Sequence, residues 1–403
     1  MRTLRALLKW VMLVVTILLV TAVLLVRFTD GRISSPDHIV LGYDEEAGRF
    51  QVWEKKTYRL QGTDGPYVIG DQVYRVTQDG QFLQHSIRRG DTLTVIVDNA
   101  DEDQFPIVLQ DTLTPPPDRY DMPERMLVMS DIEGNFNAFA GLMQKHGVID
   151  DQFKWTFGAG HLVLTGDFVD RGEQVTQVLW LIYKLESEAL RQSGRVHYIL
   201  GNHEVMNFHG NASANKGKYI RAAQLISGNE TVAVATRFIY SEKTALGRWL
   251  RSRNIIEKIG PYVFMHGGIS PDLLKYRVSI ADINRLAKTN WNKIGSKQPD
   301  ESQAEDFITG SKGLYWYRGL ATATDDYPKI TGPELDRVLA FYGGEKLVFG
   351  HTLQDTITLD FGGKTINTDV RHGSGKEDAK TMGLFIENGI EYVVDGRGSK
   401  KRI

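Results

Sequence analysis

Three acidic loops, each directly after a short apolar run, constrain the fold of this chain more than any other feature. The loops begin at Ser130, Gly166 and Gly201 and read SDIEGN, GDFVDRG and GNHE. A helical pattern with apolar residues on one face, from Val175 to Leu185, separates the second loop from the third. Strand, loop and helix in repetition predict a parallel sheet whose loops share the carboxyl edge, where α/β proteins bind ligands. The acidic side chains should therefore converge.

Converging carboxylates, amides and imidazoles repel one another unless a cation is bound. Oxygen ligands mixed with histidine suit Mn, Fe, Zn or Mg, and two metal ions about 3.5 to 4 Å apart commonly serve phosphate-ester hydrolysis. His266 and His351 each follow an apolar run and have a glycine neighbour, which permits close backbone approach. Ordinary loops with acidic N-caps are the simpler interpretation, but three loops in order together with both histidines favour a metal site.

The second and third loops resemble the signature sequences of the phosphoprotein phosphatase family of metallophosphoesterases. Downstream, FMHGGISP from Phe264, LYWYRG from Leu314 and FGHT from Phe349 are similar to its Shewanella-like branch. The resemblance covers about residues 125–395 and implies an α/β fold, the calcineurin-like β-sandwich flanked by helices. The first loop departs from the family, which has histidine where this chain has Glu133.

The resemblance also implies a role for each site residue. Two divalent metal ions are implied, with manganese expected and iron, zinc or magnesium as alternatives; the first would be held by Asp131, Glu133 and Asp167, and the second by Asp167, Asn202, His266 and His351. Asp167 would bridge the two ions, and a water activated by both would attack phosphorus. His203, oriented by Asp170, would protonate the leaving oxygen. Arg171 and Arg318 would neutralise charge on the phosphoryl group.

The amino-terminal segment predicts a membrane anchor in residues 1–32. Residues 10–26 carry no charge, and as a helix they would span roughly 25 Å, at the short end for crossing a bilayer. A helix that is apolar all round favours membrane over a buried position. Without an Ala-x-Ala site, an uncleaved signal anchor is favoured over a removed signal peptide. The basic residues before the span predict a cytoplasmic amino end and an extracytoplasmic catalytic part, which in a bacterium is periplasmic.

The remaining chain is predicted to contain a small module, a linker and a catalytic domain. Residues 33–113 alternate β-branched and polar residues between glycine-containing turns, which predicts a small all-β module. Residues 114–124 are proline-rich and predict a linker. Residues 125–403 would form the catalytic domain, with a helical cap at about residues 207–258.

Composition excludes two further kinds of chemistry. The chain has no cysteine, so disulfides and thiolate metal ligands are excluded. A formal net charge of −2 gives no support for nucleic-acid binding. The expected partners are a phosphorylated protein or a small phosphoester as substrate, and the membrane through the amino-terminal helix. The sequence does not indicate an oligomeric state.

Three functions fit these patterns. The favoured one is a membrane-anchored, metal-dependent phosphatase that hydrolyses phosphate monoesters, with phosphoproteins as the preferred substrates. The same fold could instead hydrolyse a small phosphomonoester or a dinucleoside polyphosphate. A third interpretation, from another class, is a non-catalytic, membrane-tethered binding protein, because Glu133 breaks the family pattern. All other expected ligands are present, which favours an enzyme.

Overall fold

A computed structural model of the protein describes residues 9–17, 20–21, 33–34, 39–44, 49–54, 58–110, 112–291 and 303–403. The chain divides into two compact units, Met1–Tyr58 and Arg59–Ile403. The first unit contains helical residues at 9–17 and 20–21. It also contains a three-stranded antiparallel sheet of β1 (Ile33–Ser34), β2 (Ile39–Asp44) and β3 (Arg49–Glu54).

The predicted membrane span lies partly outside the described residues, which omit residues 18–19 and 22–26. Its described part is helical, and the apolar side chains of Trp10 and Met12 are exposed. Within the part of the chain that the structure describes, no helix combines the length and the apolar character needed to cross a membrane. The anchor therefore stays a prediction.

The second unit is built from short strands and helices whose bounds set the position of every loop discussed below. The strands are β4 (Asp64–Ile69), β5 (Gln72–Val76), β6 (Phe82–Ser86), β7 (Thr92–Ile96), β8 (Gln104–Val108), β9 (Arg119–Tyr120), β10 (Arg125–Met129), β11 (His161–Leu164), β12 (Arg195–Tyr198), β13 (Ile256–Ile259), β14 (Tyr262–Met265), β15 (Lys346–Phe349), β16 (Thr358–Asp360), β17 (Thr365–Asn367), β18 (Met382–Glu387), β19 (Ile390–Asp395) and β20 (Lys400–Arg402).

The helices of this unit occur between and after the strands. They are α1 (Phe136–Lys145), α2 (Val175–Arg191), α3 (Asn202–Phe208), α4 (Gly217–Ser227), α5 (Val232–Ile239), α6 (Ala245–Arg251), α7 (Ile280–Asn290), α8 (Ala304–Thr309) and α9 (Gly332–Tyr342), with 3₁₀ turns at Pro271–Tyr276 and Phe361–Gly363. The region predicted as a helical cap contains α4, α5 and α6.

Two mixed six-stranded sheets carry the catalytic part. The first has the order β12-β11-β10-β18-β19-β20 and the second the order β16-β17-β15-β14-β13-β9. The strands β10, β11 and β12, which precede the three acidic loops, pair in parallel. This confirms the prediction that the three loops leave one edge of a sheet.

Alternation of side chains along the strands produces two separate apolar cores. On β10, Met126 and Val128 belong to a cluster with Phe264 and Val348 of the second sheet, so this cluster fills the space between the sheets. Leu127, like Met129, faces the other way and packs in a larger cluster with residues of α1 and α2. Successive residues of a strand point to opposite faces, and both faces of the first sheet are covered here. The architecture is an α/β sandwich flanked by helices.

Four strands within the predicted all-β module, β4, β5, β7 and β8, contribute buried residues to the larger apolar cluster. Val73, Val95 and Phe105 are buried there together with residues of α2. The indole of Trp180 on α2 donates a hydrogen bond of 2.8 Å to the Pro66 carbonyl. These strands therefore contribute to the core that supports the catalytic loops.

Candidate metal centre

The first two acidic loops are joined by backbone hydrogen bonds. The Asp131 N–H donates to the Gly166 carbonyl at 3.0 Å, and the Glu133 N–H donates to the Asp167 carbonyl at 2.9 Å. A positive φ, which costs energy for a residue with a side chain, recurs in this region at Asp131, Glu133, Asp167, Asp170, Arg171 and His351. The two strands thus end in tight turns that aim acidic side chains across the edge of the sheet.

Glu204 joins the second acidic loop to the third. Its buried carboxylate accepts hydrogen bonds from the N–H groups of Gly201 (2.7 Å), Asp167 (3.1 Å) and Phe168 (2.9 Å), and from the Tyr198 hydroxyl (2.9 Å). Its bond to the Gly201 N–H caps the amino end of α3. Our sequence analysis gave Glu204 no role, although an acidic residue in the first turn of a helix is a recognisable signal.

Four possible metal ligands meet around His266. Its Nε2 lies 2.9 Å from Asn202 Oδ1, 3.1 Å from Asp167 Oδ2 and 3.2 Å from His351 Nδ1. The other ring nitrogen, Nδ1, lies 2.8 Å from the Thr165 carbonyl. A carbonyl can only accept, so Nδ1 carries a proton, and Nε2 is the ring atom that faces the neighbouring ligand atoms. Metal-bound histidines are typically oriented by a second hydrogen bond of this kind.

The donor set fits a divalent cation. Ligand atoms of Asp167, His266 and His351 all lie within 4.8 Å of one another, and all three residues are buried. Burial alone would lower the pKa of His266, but the Asp167 and Asp131 carboxylates outweigh this effect and raise the pKa to about 10. A positive charge is therefore strongly favoured where these side chains meet. Oxygen and imidazole donors together suit Mn, Fe or Zn.

Asp131 lies at the same edge, beside His351. Its Oδ2 accepts hydrogen bonds from the Ser130 hydroxyl (2.5 Å) and from the His351 N–H (3.1 Å). Burial raises the pKa of Asp131 to about 6, a shift that His266 opposes and Asp167 reinforces. Asp369, which sequence reasoning missed, lines the same cleft. Burial, reinforced by the Asp131 carboxylate, raises the pKa of Asp369 to about 8.

Glu133 does not lie in the group around His266 in this structure. Its carboxylate forms an ion pair with the Arg171 guanidinium. The Arg171 backbone N–H donates to the Ala214 carbonyl at 3.0 Å, while its side chain is 57% exposed in the cleft. The charge of Glu133 is thus balanced by the Arg171 side chain. The role of Glu133 as a metal ligand stays a prediction.

His203 and Asp170 form a buried pair next to the metal donors. Nδ1 of His203 lies 2.7 Å from Asp170 Oδ2, and Asp170 Oδ1 accepts a bond of 2.8 Å from the Asn207 amide. Nε2 of His203 lies 3.2 Å from Arg171 Nη2 and 3.8 Å from Asp167 Oδ2. Burial would lower the pKa of His203, but the Asp170 hydrogen bond and the Asp167 charge raise it overall.

Arg318 also lines the cleft, beside His351. Its guanidinium donates to the His351 carbonyl and, at 3.3 Å, to the Thr352 hydroxyl. The Trp316 ring stands edge-on to the His351 imidazole, with ring centroids 5.8 Å apart. The cleft that Arg318 lines together with Asp131 and the other site residues has a volume of about 1060 Å³.

The structure thus brings Asp167, Asn202, His266 and His351 together, with Asp131 beside His351. The His203–Asp170 pair borders this group, and both arginines line the same cleft. Only Glu133 among the residues selected from the sequence turns toward another partner.

Comparisons with known proteins agree with this geometry. A family model described as calcineurin-like phosphoesterase matches residues 124–355. Shewanella-like protein phosphatase 2 of Arabidopsis thaliana is 24% identical over 315 residues, which cover 68% of this chain and 78% of the relative. Shewanella-like protein phosphatase 1 of Plasmodium berghei is 26% identical over 230 residues, which cover 57% of this chain and 61% of the relative.

A solved structure covers most of the chain. The crystal structure of the cold-active protein-tyrosine phosphatase of a psychrophile Shewanella species has a TM-score of 0.72 and 29% sequence identity. The match covers 85% of this chain and 99% of that one. The chain therefore belongs to the calcineurin-like phosphoesterase family and is a metallophosphoesterase, a hydrolase similar to the Shewanella-like protein phosphatases.

Proposed function

We propose that this chain hydrolyses phosphate monoesters on proteins, with two divalent metal ions, manganese foremost, as cofactors. The observation that carries the proposal is the meeting of Asp167, Asn202, His266 and His351 at one point, beside the buried His203–Asp170 pair. Asp131, Asp167, Asn202, His266 and His351 would hold the metal. Divalent ions in such a site supply Lewis acidity and a nucleophile at neutral pH.

His203 is the group best suited to protonate the leaving oxygen. Its Nδ1–H is directed to Asp170, which leaves Nε2 facing the cleft. A raised pKa keeps more of the imidazole protonated near neutral pH, and a general acid works best when its pKa is near the working pH. Asp170 is itself fixed by the Asn207 amide, so the ring is held in one orientation.

Arg171 and Arg318 would hold the phosphoryl oxygens from opposite sides. Guanidinium groups match phosphate geometry through paired hydrogen bonds. Arg171 is oriented by Glu133 and approaches His203, while Arg318 is oriented by the His351 carbonyl. Binding a transferring phosphoryl group between fixed cations stabilises the charge that develops on it.

The size of the cleft supports a protein substrate over a small phosphoester. At about 1060 Å³, the cleft lies at the upper limit of pockets that enclose small ligands, roughly 300 to 1,000 Å³. Two relatives carry the name protein phosphatase, and the similar crystal structure is that of a protein-tyrosine phosphatase. An extended phosphopeptide would fit an open cleft with its phosphate at the metal end.

We also propose that the catalytic unit is tethered to a membrane on its extracytoplasmic side. The apolar residues 10–26 and the basic residues before them support this proposal. Protease treatment of intact spheroplasts should digest residues 33–403. Full protection of that part until lysis would refute the orientation.

The function is tested with the purified full-length chain, freed of metal by chelation and reloaded with manganese. We expect hydrolysis of p-nitrophenyl phosphate and of Ser, Thr or Tyr phosphopeptides, with kcat/KM higher for peptides. A higher kcat/KM for nucleotides or dinucleoside polyphosphates would replace the protein substrate by a small one. Bound metal without hydrolysis of any phosphate ester would exclude the catalytic proposal.

A further inference from the structure

Asp369 differs from the other buried carboxylates of the described residues. Each of the others has at least one hydrogen-bond or ion-pair partner: Asp64, Asp167, Asp170, Glu204, Glu257 and Glu391. Asp369 is 5% exposed, and no described residue donates a hydrogen bond to its carboxylate. Ionising a buried carboxylate that has no partner is costly, and a cation bound from outside the chain would offset that cost.

The topology of the second sheet sets Asp369 beside His351. Strands β15 and β17 pair in parallel, with Phe349 opposite Asn367. His351 and Asp369 each follow two residues after this pair, at the carboxyl ends of neighbouring strands. Both therefore leave the sheet at the same level and line the same cleft.

The backbone around Asp369 is fixed by hydrogen bonds. The Asp369 N–H donates to Asn367 Oδ1 at 3.0 Å, and its carbonyl accepts from the Gln354 N–H at 3.0 Å. The Asn367 amide in turn donates to the Thr352 carbonyl at 2.7 Å. These bonds use only the N–H and the carbonyl of Asp369, so its backbone is held in place and its carboxylate takes no part in them.

The surroundings of this carboxylate leave a cation as its natural partner. Besides burial, Asp131 and Asp167 raise the pKa of Asp369, whereas His266 and Arg318 lower it. Carboxylates that share a site disfavour one another's ionisation, and a cation bound with them removes that effect. Glu133, which the family resemblance assigned to the Asp131 side of the site, is instead paired with Arg171. A metal-ligand position for a carboxylate oxygen on the Asp131 side of the site is therefore open to Asp369.

We propose that Asp369 is a carboxylate ligand of the metal ion on the Asp131 side of the site, where the family resemblance assigned Glu133. The inference rests on the proposed metal-dependent function. Asp131, Asp167 and Asp369 then carry three negative charges against the four positive charges of two divalent ions, which leaves one net positive charge for an anionic phosphate. In this proposal Glu133 pairs with Arg171 and does not bind a metal ion.

The test compares metal binding by full-length Asp369→Asn, Glu133→Gln and the exposed control Asp355→Asn. Manganese is titrated into metal-free protein by calorimetry, and bound ions are counted by mass spectrometry. We expect Asp369→Asn to lose one ion or to bind it at least about tenfold more weakly, the scale of losses seen even for residues behind the ligands. The other two variants should retain both ions. Wild-type binding by Asp369→Asn, or loss of one ion from Glu133→Gln alone, overturns the inference.

Thermal unfolding of the metal-free and manganese-loaded proteins provides a second readout. Replacing an unpartnered buried carboxylate with a neutral amide should raise the Tm of the metal-free protein while reducing the further rise caused by manganese. A merely structural Asp369 would give a lower metal-free Tm and an unchanged manganese effect, which contradicts the inference. These measurements do not depend on turnover. A wild-type protein that hydrolyses no phosphoester would refute the proposed function, but metal binding by the Asp369 variant could still be measured and compared.

Discussion

Two buried clusters of histidine and carboxylate connect the two six-stranded sheets, and they differ in how their acceptors are arranged. In the metal centre, Nε2 of His266 faces several lone-pair donors at once. The second cluster, here called the edge network, consists of His161, His197 and Glu257. Its histidine and carboxylate side chains form a chain of hydrogen bonds. His197 Nδ1 lies 2.7 Å from Glu257 Oε2, and its Nε2 lies 3.0 Å from His161 Nδ1.

The difference shows that residue type alone does not define a metal site. In the edge network each acceptor can be matched with a donor, and the second oxygen of Glu257 accepts from the Asn254 amide at 3.0 Å. In the metal centre the ligand atoms converge on one point, where a positive charge interacts with all of them at once. Among the described residues, the group that could hold a metal contains Asp167, His266 and His351, not the edge network.

The largest expected effect concerns His203. We expect His203→Ala to retain both metal ions and to lower kcat by about 10²-fold to 10⁴-fold, the usual contribution of a general acid. The physical reason is that Nε2 faces the cleft while the Asp170 pair keeps the ring out of the metal group. Steady-state kinetics on a phosphopeptide and metal counting on the same sample measure both quantities.

Asn202→Ala is the matched comparison for His203→Ala, because the two residues are neighbours on α3. Asn202 Oδ1 contacts His266 Nε2, so its loss should weaken metal binding itself. Metal release by His203→Ala with full retention by Asn202→Ala would reverse these two assignments.

His197→Ala should mainly affect stability. Removing the imidazole leaves Glu257 buried without its bond to His197, and breaking a buried pair from one side costs about 3 kcal/mol or more. Urea denaturation of the metal-loaded protein measures the loss, which Glu257→Gln should reproduce only in part because an amide still accepts a hydrogen bond. Metal content per folded molecule should equal that of the wild type. A lost ion in His197→Ala would mean that the two clusters are coupled.

The sequence was sufficient for those parts of the site that follow local patterns. Apolar runs with acidic loops behind them predicted the parallel order of β10, β11 and β12, because strand, loop and helix alternate along the chain. The same reasoning selected His266, directly after β14, and His351, two residues after β15. Such residues can be found because their position depends on the strand that precedes them.

The features that sequence reasoning missed depend on contacts between distant segments. Asp369 reaches the cleft because β17 pairs with β15, which no local pattern encodes. Glu133 meets Arg171 because both residues have a left-handed backbone in facing turns. Glu204 had a visible local signal, an acidic residue in the first turn of α3, but its bonds to the second acidic loop appear only once the strands are assembled. The positions of these side chains depend on contacts between segments that are distant in the sequence, which residue type alone does not predict.

Manganese should stabilise the metal centre without involving the edge network. An ion that binds only the folded state stabilises it by about 2.7 kcal/mol when its free concentration is about 100 times Kd. We therefore expect thermal unfolding with added manganese to show a higher Tm in the wild type. The same increment should appear in His197→Ala, starting from a lower Tm, because the two clusters are separate. An increment that vanishes in His197→Ala would contradict their independence.

The smallest expected effect is the response of the edge network to acid. Burial, reinforced by His197 and Arg195, lowers the pKa of His161 to about 3, against an ordinary value of about 6.5 in the unfolded chain. The unfolded chain therefore binds the proton first as pH falls, so the stability contributed by neutral His161 is complete above pH 6.5 and declines as the pH falls from about 6.5 toward 3. At pH 5.5 the loss should be about 1 kcal/mol relative to pH 7.5. Urea denaturation at both values, with saturating manganese, should show this extra loss in the wild type but not in His161→Gln, which cannot titrate. Equal losses in the two proteins would mean that the pKa of His161 is not lowered in the folded protein.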